Sequence, residues 1–148
     1  MPVIGIARFE HFFRAAGGVD VDRNDLKRYH DFVNQKLYDL LLIGQAAAKA
    51  NARDIIESHD LPITKGLQES IHSFRRIDED IELRPILAEL AARPPLLALS
   101  EETQARLPLV VGGLSVALAR TFKIIDPGVR RPMMREWETA FQIFDLLL

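Results

Sequence analysis

The sequence predicts an all-α protein, and three observations carry that expectation. No stretch alternates apolar and polar residues over the length of a strand. Apolar residues instead recur every three or four positions in six separate runs, each bounded by Gly, Pro or a capping side chain. The runs come in the order short, long, short between residues 4 and 76, and that order recurs between Glu82 and Leu148.

Phe9, Phe12, Phe13 and Ala16 share one helical face and predict a first helix over 4–16. Gly17-Gly18 ends it, because glycine adopts the left-handed conformation at a helix C-terminus. Val19-Asp20-Val21 reads as an extended link. Asp22 or Asn24 can cap the next helix, with Asp25 in its first turn. From Asp22 to Ala52, Leu26, Tyr29, Val33, Leu37, Leu40, Leu41, Gly44, Ala47 and Ala48 line a stripe that Phe32, Ile43 and Ala46 widen. A helix apolar over most of its circumference is expected to be packed between several others, so this run is the predicted spine of the first half.

Arg53-Asp54-Ile55-Ile56 reads as a second extended link. Asp60 is expected to cap a third helix, with Pro62 in its first turn, Ile63, Leu67, Ile71 and Phe74 on its buried face, and Arg75-Arg76 at its end.

Leu83, Ile86, Leu87, Leu90 and Ala91 predict a short fourth helix that Pro94-Pro95 stops. An apolar link follows, Leu96-Leu97-Ala98-Leu99. Ser100-Glu101-Glu102 starts a second long helix through Leu107, Val110, Val111, Leu114, Leu118 and Ile125, with a kink expected at Pro108. Pro127-Gly128 ends it. Pro132 opens a last helix whose stripe is Met133, Trp137, Ala140, Phe141, Phe144 and Leu148. The 148 residues make one domain of two halves, about 1–77 and 78–148.

Composition excludes several function classes. Lys and Arg number 19 against 21 Asp and Glu, so the chain lacks the basic excess of a dedicated nucleic-acid binder. The split is uneven: the charge is +1 up to Arg76 and −3 from Ile77 onward. There is no cysteine, which removes disulfides and thiolate chemistry and fits a cytoplasmic location. The apolar run Leu107–Ala119 is shorter than the roughly twenty residues a membrane span requires, so no membrane partner is expected. His11, His30, His59 and His72 are scattered, without metal-ligand spacing, so neither a metal nor a cofactor is expected. Gly113-Leu114-Ser115-Val116-Ala117 lacks the final glycine and preceding strand of a nucleophile elbow. Gly112-Gly113 is better read as a point of close helix packing, and the protein is expected not to be an enzyme.

Short, long, short helices joined by extended links resemble the histone fold. Arg53 and Asp60, seven apart, resemble the histone motif in which an arginine of the second link pairs with an aspartate at the third helix. Three segments carry a closer resemblance, to a family of uncharacterised bacterial single-chain histone-like proteins. They are Asp22-Arg23-Asn24-Asp25-Leu26-Lys27-Arg28, Lys36-Leu37-Tyr38-Asp39-Leu40-Leu41 and Leu61-Pro62-Ile63-Thr64-Lys65-Gly66-Leu67-Gln68-Glu69. The resemblance implies two histone-fold halves closed on each other as an intramolecular pseudodimer, with residues 19–23 beside 128–131 and 52–56 beside 95–99. No aspartate stands seven after Arg130 or Arg131, and Glu138, seven after Arg131, falls inside the last helix. The motif is therefore expected in one half only.

Two functional readings follow. The first is a protein-interaction or assembly module, whose partner is another protein or a second copy, through Phe141, Phe144, Leu146, Leu147 and Leu148. The alternative is a nucleoid-associated protein that binds duplex DNA weakly and salt-sensitively. The resemblance places its phosphate contacts at Arg23, Arg130 and Arg131 at one end and at Arg53 and Arg93 at the other. Asp20, Asp22, Asp54 and Glu57 lie in the same links and oppose counterion release. Arg53 reads first as a structural partner of Asp60.

Overall fold

A computed structural model of the chain describes residues 3–91 and 97–148. The described residues form six helices: α1 (Val3–Gly17), α2 (Arg23–Ala50), α3 (Lys65–Ile81), α4 (Arg84–Ala91), α5 (Glu101–Ile125) and α6 (Met134–Leu147). A single 3-10 turn, Ser58–Asp60, precedes α3. The described residues contain no strand; their extended pairing is one parallel bridge between Ile56 and Leu99. The expected stop at Pro94-Pro95, together with Arg93 and Leu96, lies outside the described residues.

The helix ends follow local chemistry. Gly18 takes φ +66° and closes α1, its N–H donating to the Arg14 carbonyl at 2.9 Å. Asp22 caps α2 by accepting from the N–H groups of Asn24 (2.8 Å) and Asp25 (3.3 Å). The Asp25 carboxylate returns the bond from the Asp22 N–H at 3.0 Å, completing a capping box. Ser100 caps α5 through the Thr103 N–H at 3.1 Å.

Four expectations are corrected. Asp60 does not cap α3: it ends the 3-10 turn and accepts from the Glu57 N–H at 2.8 Å, while Thr64 caps α3 through the Leu67 N–H at 3.1 Å. Pro62 therefore precedes the helix rather than entering its first turn. Arg75-Arg76 do not end α3, which runs on to Ile81 and stops where Glu82 turns left-handed. The division expected at 77/78 thus falls inside a helix. Met133 is exposed, because α6 begins one residue later.

The fourth correction concerns the spine. α2 buries Tyr29, Phe32, Val33, Leu37, Leu40, Gly44 and Ala48, but Tyr38, Leu42, Ile43 and Ala46 face solvent. The helix packed on every side is α5, continuous through Pro108 and buried without a break from Leu107 to Val116. Glycines admit its neighbours. A Cβ on Gly112 would overlap the Phe74 ring of α3, and one on Gly113 would lie 2.5 Å from Ile71 Cγ1. By length and composition α5 could cross a membrane, yet two-thirds of that apolar window is buried inside the chain.

Two aromatic groups flank this helix. Phe9 and Phe13 of α1 both meet Tyr29 edge-on, and Phe12 meets Phe74. On the other side Trp137 of α6 packs on Phe122 at 4.9 Å, and Phe32 of α2 meets Phe144 at 4.8 Å.

Candidate interaction surfaces

Three places gather the residues singled out from the sequence. At the first link pair, the α1–α2 link lies beside the α5–α6 link, and the Asp20 N–H donates to the Arg130 carbonyl at 2.7 Å. Arg131 pairs with Asp22 at 3.6 Å, so it joins the two helix runs rather than forming a clamp with Glu138. Asp20 is taken by Arg14 at 3.2 Å and Asp25 by Arg28 at 3.4 Å. Burial pushes the Asp25 carboxyl above its ordinary range, against the hydrogen bond from Asp22. The side chains of Arg23, Arg130 and also Lys27 are exposed, with no hydrogen bond or ion pair among the described residues.

At the second link pair, the Ile56 N–H donates to the Ala98 carbonyl (2.9 Å) and the Ser100 N–H to the Ile56 carbonyl (3.2 Å). The Thr103 hydroxyl adds a bond to the same Ile56 carbonyl at 2.8 Å. The Arg53 guanidinium meets both Asp60 oxygens, at 2.7 and 2.8 Å, in fork geometry. That pairing holds Asp60 well below the usual carboxylate range and raises Arg53. Arg53 is thereby occupied and does not point free toward a ligand. Asp54, Glu101 and Glu102 are exposed beside it. Arg93 lies outside the described residues.

The third place is the end of α6. Phe144 is buried, and Phe141 and Leu148 are half-buried, so these three belong largely to the core. Leu146 and Leu147 do not: they are 86% and 74% exposed. Leu147 and Leu148 edge an apolar groove of about 360 Å³ whose other walls include Leu67, Leu114, Ala117 and Ile143. No charged side chain lines it; its polar groups are Thr64 and Thr121. Five expected self-association residues therefore divide into three that fill the fold and two that leave it.

Lys36 is a further residue of this region, and the sequence reading does not single it out as a site. Its side chain is 2% exposed, and its ammonium meets Asp39 at 3.3 Å and Asp145 of α6. It anchors the helix end that carries Leu146 and Leu147. The sequence does hold a signal: Lys36 falls four after Phe32 and four before Leu40, a charge inside the apolar stripe.

Ser115 offers no nucleophile. It is fully buried, and its hydroxyl donates to the Val111 carbonyl at 2.7 Å. Having one proton, it accepts from the Tyr29 hydroxyl, also at 2.7 Å. Burial raises the Tyr29 hydroxyl above its ordinary value. Among the described residues no three His, Asp or Glu side chains are grouped to hold a metal.

Comparison with known proteins gives a family and close structural relatives. The model of a family described as a domain of unknown function (DUF1931) matches residues 9–145. An uncharacterized protein of Aquifex aeolicus (strain VF5) is 28% identical over 142 residues, spanning 95% of this chain and 82% of the relative. The crystal structure of a Thermus thermophilus protein, 50% identical, superposes with a TM-score of 0.84 over 97% of both chains. That of an Aquifex aeolicus protein, 27% identical, gives 0.82 over 97% of this chain and 95% of the other.

Proposed function

For this chain, which belongs to the DUF1931 family, we propose the role of a non-catalytic interaction or assembly module. It is built as two histone-fold halves closed into an intramolecular pseudodimer. The pseudodimer reading is supported by the repeated helix order, by link pairing at Asp20–Arg130 and at Ile56–Leu99, and by the Arg53–Asp60 fork. Joining the halves covalently makes their association intramolecular, with a high effective concentration.

The observation that carries the interaction role is the end of α6. Leu146 and Leu147 stand exposed beside an uncharged apolar groove, on a helix end that the buried Lys36 holds in place. Adjacent exposed leucines next to such a groove mark a docking face rather than scattered surface apolarity. The partner is another protein or a second copy. Sedimentation of the full chain over a range of concentrations tests the second case. Concentration-dependent association that Leu146→Ser/Leu147→Ser abolishes is expected, with the variant sedimenting at the 16.8 kDa of one chain. A full chain that stays monomeric throughout would remove self-docking.

A second reading is favoured by Arg23, Lys27 and Arg130, which the ion pairs of the first link pair leave unoccupied. Here the protein touches DNA phosphates non-specifically through its links, and affinity falls as salt releases the contacts.

A further inference from the structure

The two link pairs are built alike and charged oppositely. Around the first, residues 14–28 and 123–136 hold eight Lys or Arg against five Asp or Glu. Around the second, the described residues 49–60 and 97–106 hold three against five, with Arg93 outside the described residues and not counted. The 28 residues of α2 separate the two ends by roughly 40 Å at about 1.5 Å per residue. That is several times the Debye length of about 8 Å at physiological salt, so neither end cancels the field of the other.

Ion pairing sharpens the contrast. At the first end Asp20, Asp22 and Asp25 are taken by Arg14, Arg131 and Arg28. Arg23, Lys27 and Arg130 remain exposed with no such partner among the described residues. Arg23 and Lys27, one turn apart on α2, line the same open cleft of about 590 Å³, with Ile6 and Leu26 on its apolar wall and Asp31 farther along. At the second end two of the three cations counted are occupied, and Lys49 is the exposed exception. Arg53 is held by Asp60, and Arg106 donates to Ser58 and Gln68. Asp54, Glu101 and Glu102 are left exposed.

We propose that the first link end alone grips the phosphodiester backbone of duplex DNA, through Arg23, Lys27 and Arg130, while the acidic second end faces away. This rests on the nucleic-acid reading above and restricts it. Arg53 and Arg131, candidates from the sequence, are not phosphate contacts, and Lys27 is. The α2 N-terminus contributes no free donors at Asn24 and Asp25, because Asp22 already fills them, so the grip is made by side chains. A second copy's acidic end is a poorer occupant. Exposed carboxylate–guanidinium pairs are each worth little in water and do not offset the freedom lost on association. A duplex gains instead by releasing condensed counterions. One grip per molecule also means that a single copy binds one duplex and does not bridge two.

Fluorescence anisotropy of the full chain with a short labelled duplex, at several salt concentrations, tests this. Three contacts give a slope of about −2.7 in log K against log salt, a loss of roughly forty-fold between 50 and 200 mM. Five contacts shared by both ends would give about −4.5. Arg23→Ala/Lys27→Ala/Arg130→Ala should abolish binding without moving Tm, and Asp54→Lys at the other end should leave affinity unchanged. A slope near −4.5, or a clear gain in Asp54→Lys, overturns the one-ended grip while keeping DNA as ligand. Binding that survives the triple variant overturns it as well. No binding of the unmodified chain at low salt ends the nucleic-acid reading altogether.

Discussion

α2 and α5 hold matching places in the two short-long-short runs, yet they are used differently. α5 is enclosed, with α3 pressed onto Gly112 and Gly113, Tyr29 of α2 on Ser115 and Trp137 of α6 on Phe122. α2 is longer and better capped, but it leaves Tyr38, Leu42 and Ile43 in solvent. A duplicated order of helices therefore does not imply duplicated burial. The second run supplies the axis of the core. The first supplies a cover for it, together with most of the polar hardware.

The sharpest way to break this comparison is to add one methyl group to each long helix. Gly112→Ala forces a Cβ into the Phe74 ring, and overpacking of that kind costs about 1–3 kcal/mol. Gly44→Ala in α2 meets the side-chain ends of Ile56 and Leu61 at 3.2 and 3.3 Å, and the Asp60 carbonyl at an ordinary contact distance of 3.6 Å. Those ends can give by tenths of an ångström, and alanine regains up to about 1 kcal/mol of helix propensity. Chemical denaturation should show a clear loss for Gly112→Ala and a change near zero for Gly44→Ala. Equal losses would mean that α2 is as tightly enclosed as α5.

Helix existence is legible in the sequence, because the capping residues Asp22 and Ser100 and the breakers Gly18 and Pro127-Gly128 act locally. The resemblance places residues 19–23 beside 128–131 and 52–56 beside 95–99, and among the described residues Asp20 bonds to Arg130 and Ile56 to Ala98. The place of α5 as the axis is not legible, because degree of burial depends on what the other run brings. Ile43 and Ala46 have the right spacing for a buried stripe, but nothing among the described residues covers them. The start of α3 is hidden for a related reason. Asp60 has the composition of a cap, but Arg53 and the Glu57 N–H claim its oxygens, so Thr64 does the capping. The division of the α6 residues is likewise hidden, since Phe144 and Leu147 are both apolar and only the packed fold separates them.

A smaller effect tests the contact between the two long helices. Tyr29 of α2 donates to Ser115 of α5, which in turn donates to Val111. Tyr29→Phe removes one hydrogen bond and leaves Ser115 satisfied, for a loss of about 1 kcal/mol. Ser115→Ala strands the buried Tyr29 hydroxyl and should cost more, about 1–3 kcal/mol. Unfolding free energies in that order confirm the direction of the chain of donors. The reverse order would place the Ser115 proton on the Tyr29 oxygen.

The smallest effect separates the runs by charge, and acid titration reads it. Arg53 and Asp60 lie in the first run, and the described residues of the second hold no such fork, since Arg131 reaches across to Asp22. Asp60 titrates below its unfolded value of about 3.9, so it stabilises the fold above that pH and the contribution is lost as pH falls through the folded value. Asp25 has the opposite sign. Burial raises its folded pKa, so its ionised form weakens the fold at neutral pH, and protonation relieves that burden as pH falls toward about 4. Stability should therefore rise slightly on mild acidification and then drop below about pH 4. Asp25→Asn should erase the rise and Arg53→Gln should flatten the drop. The changes are modest because a third of the Arg53 side chain is open to water, where solvent screens the pair. An acid limb unaltered in Arg53→Gln would mean that other carboxylates govern acid unfolding, and that the fork positions the second link without holding the first run together.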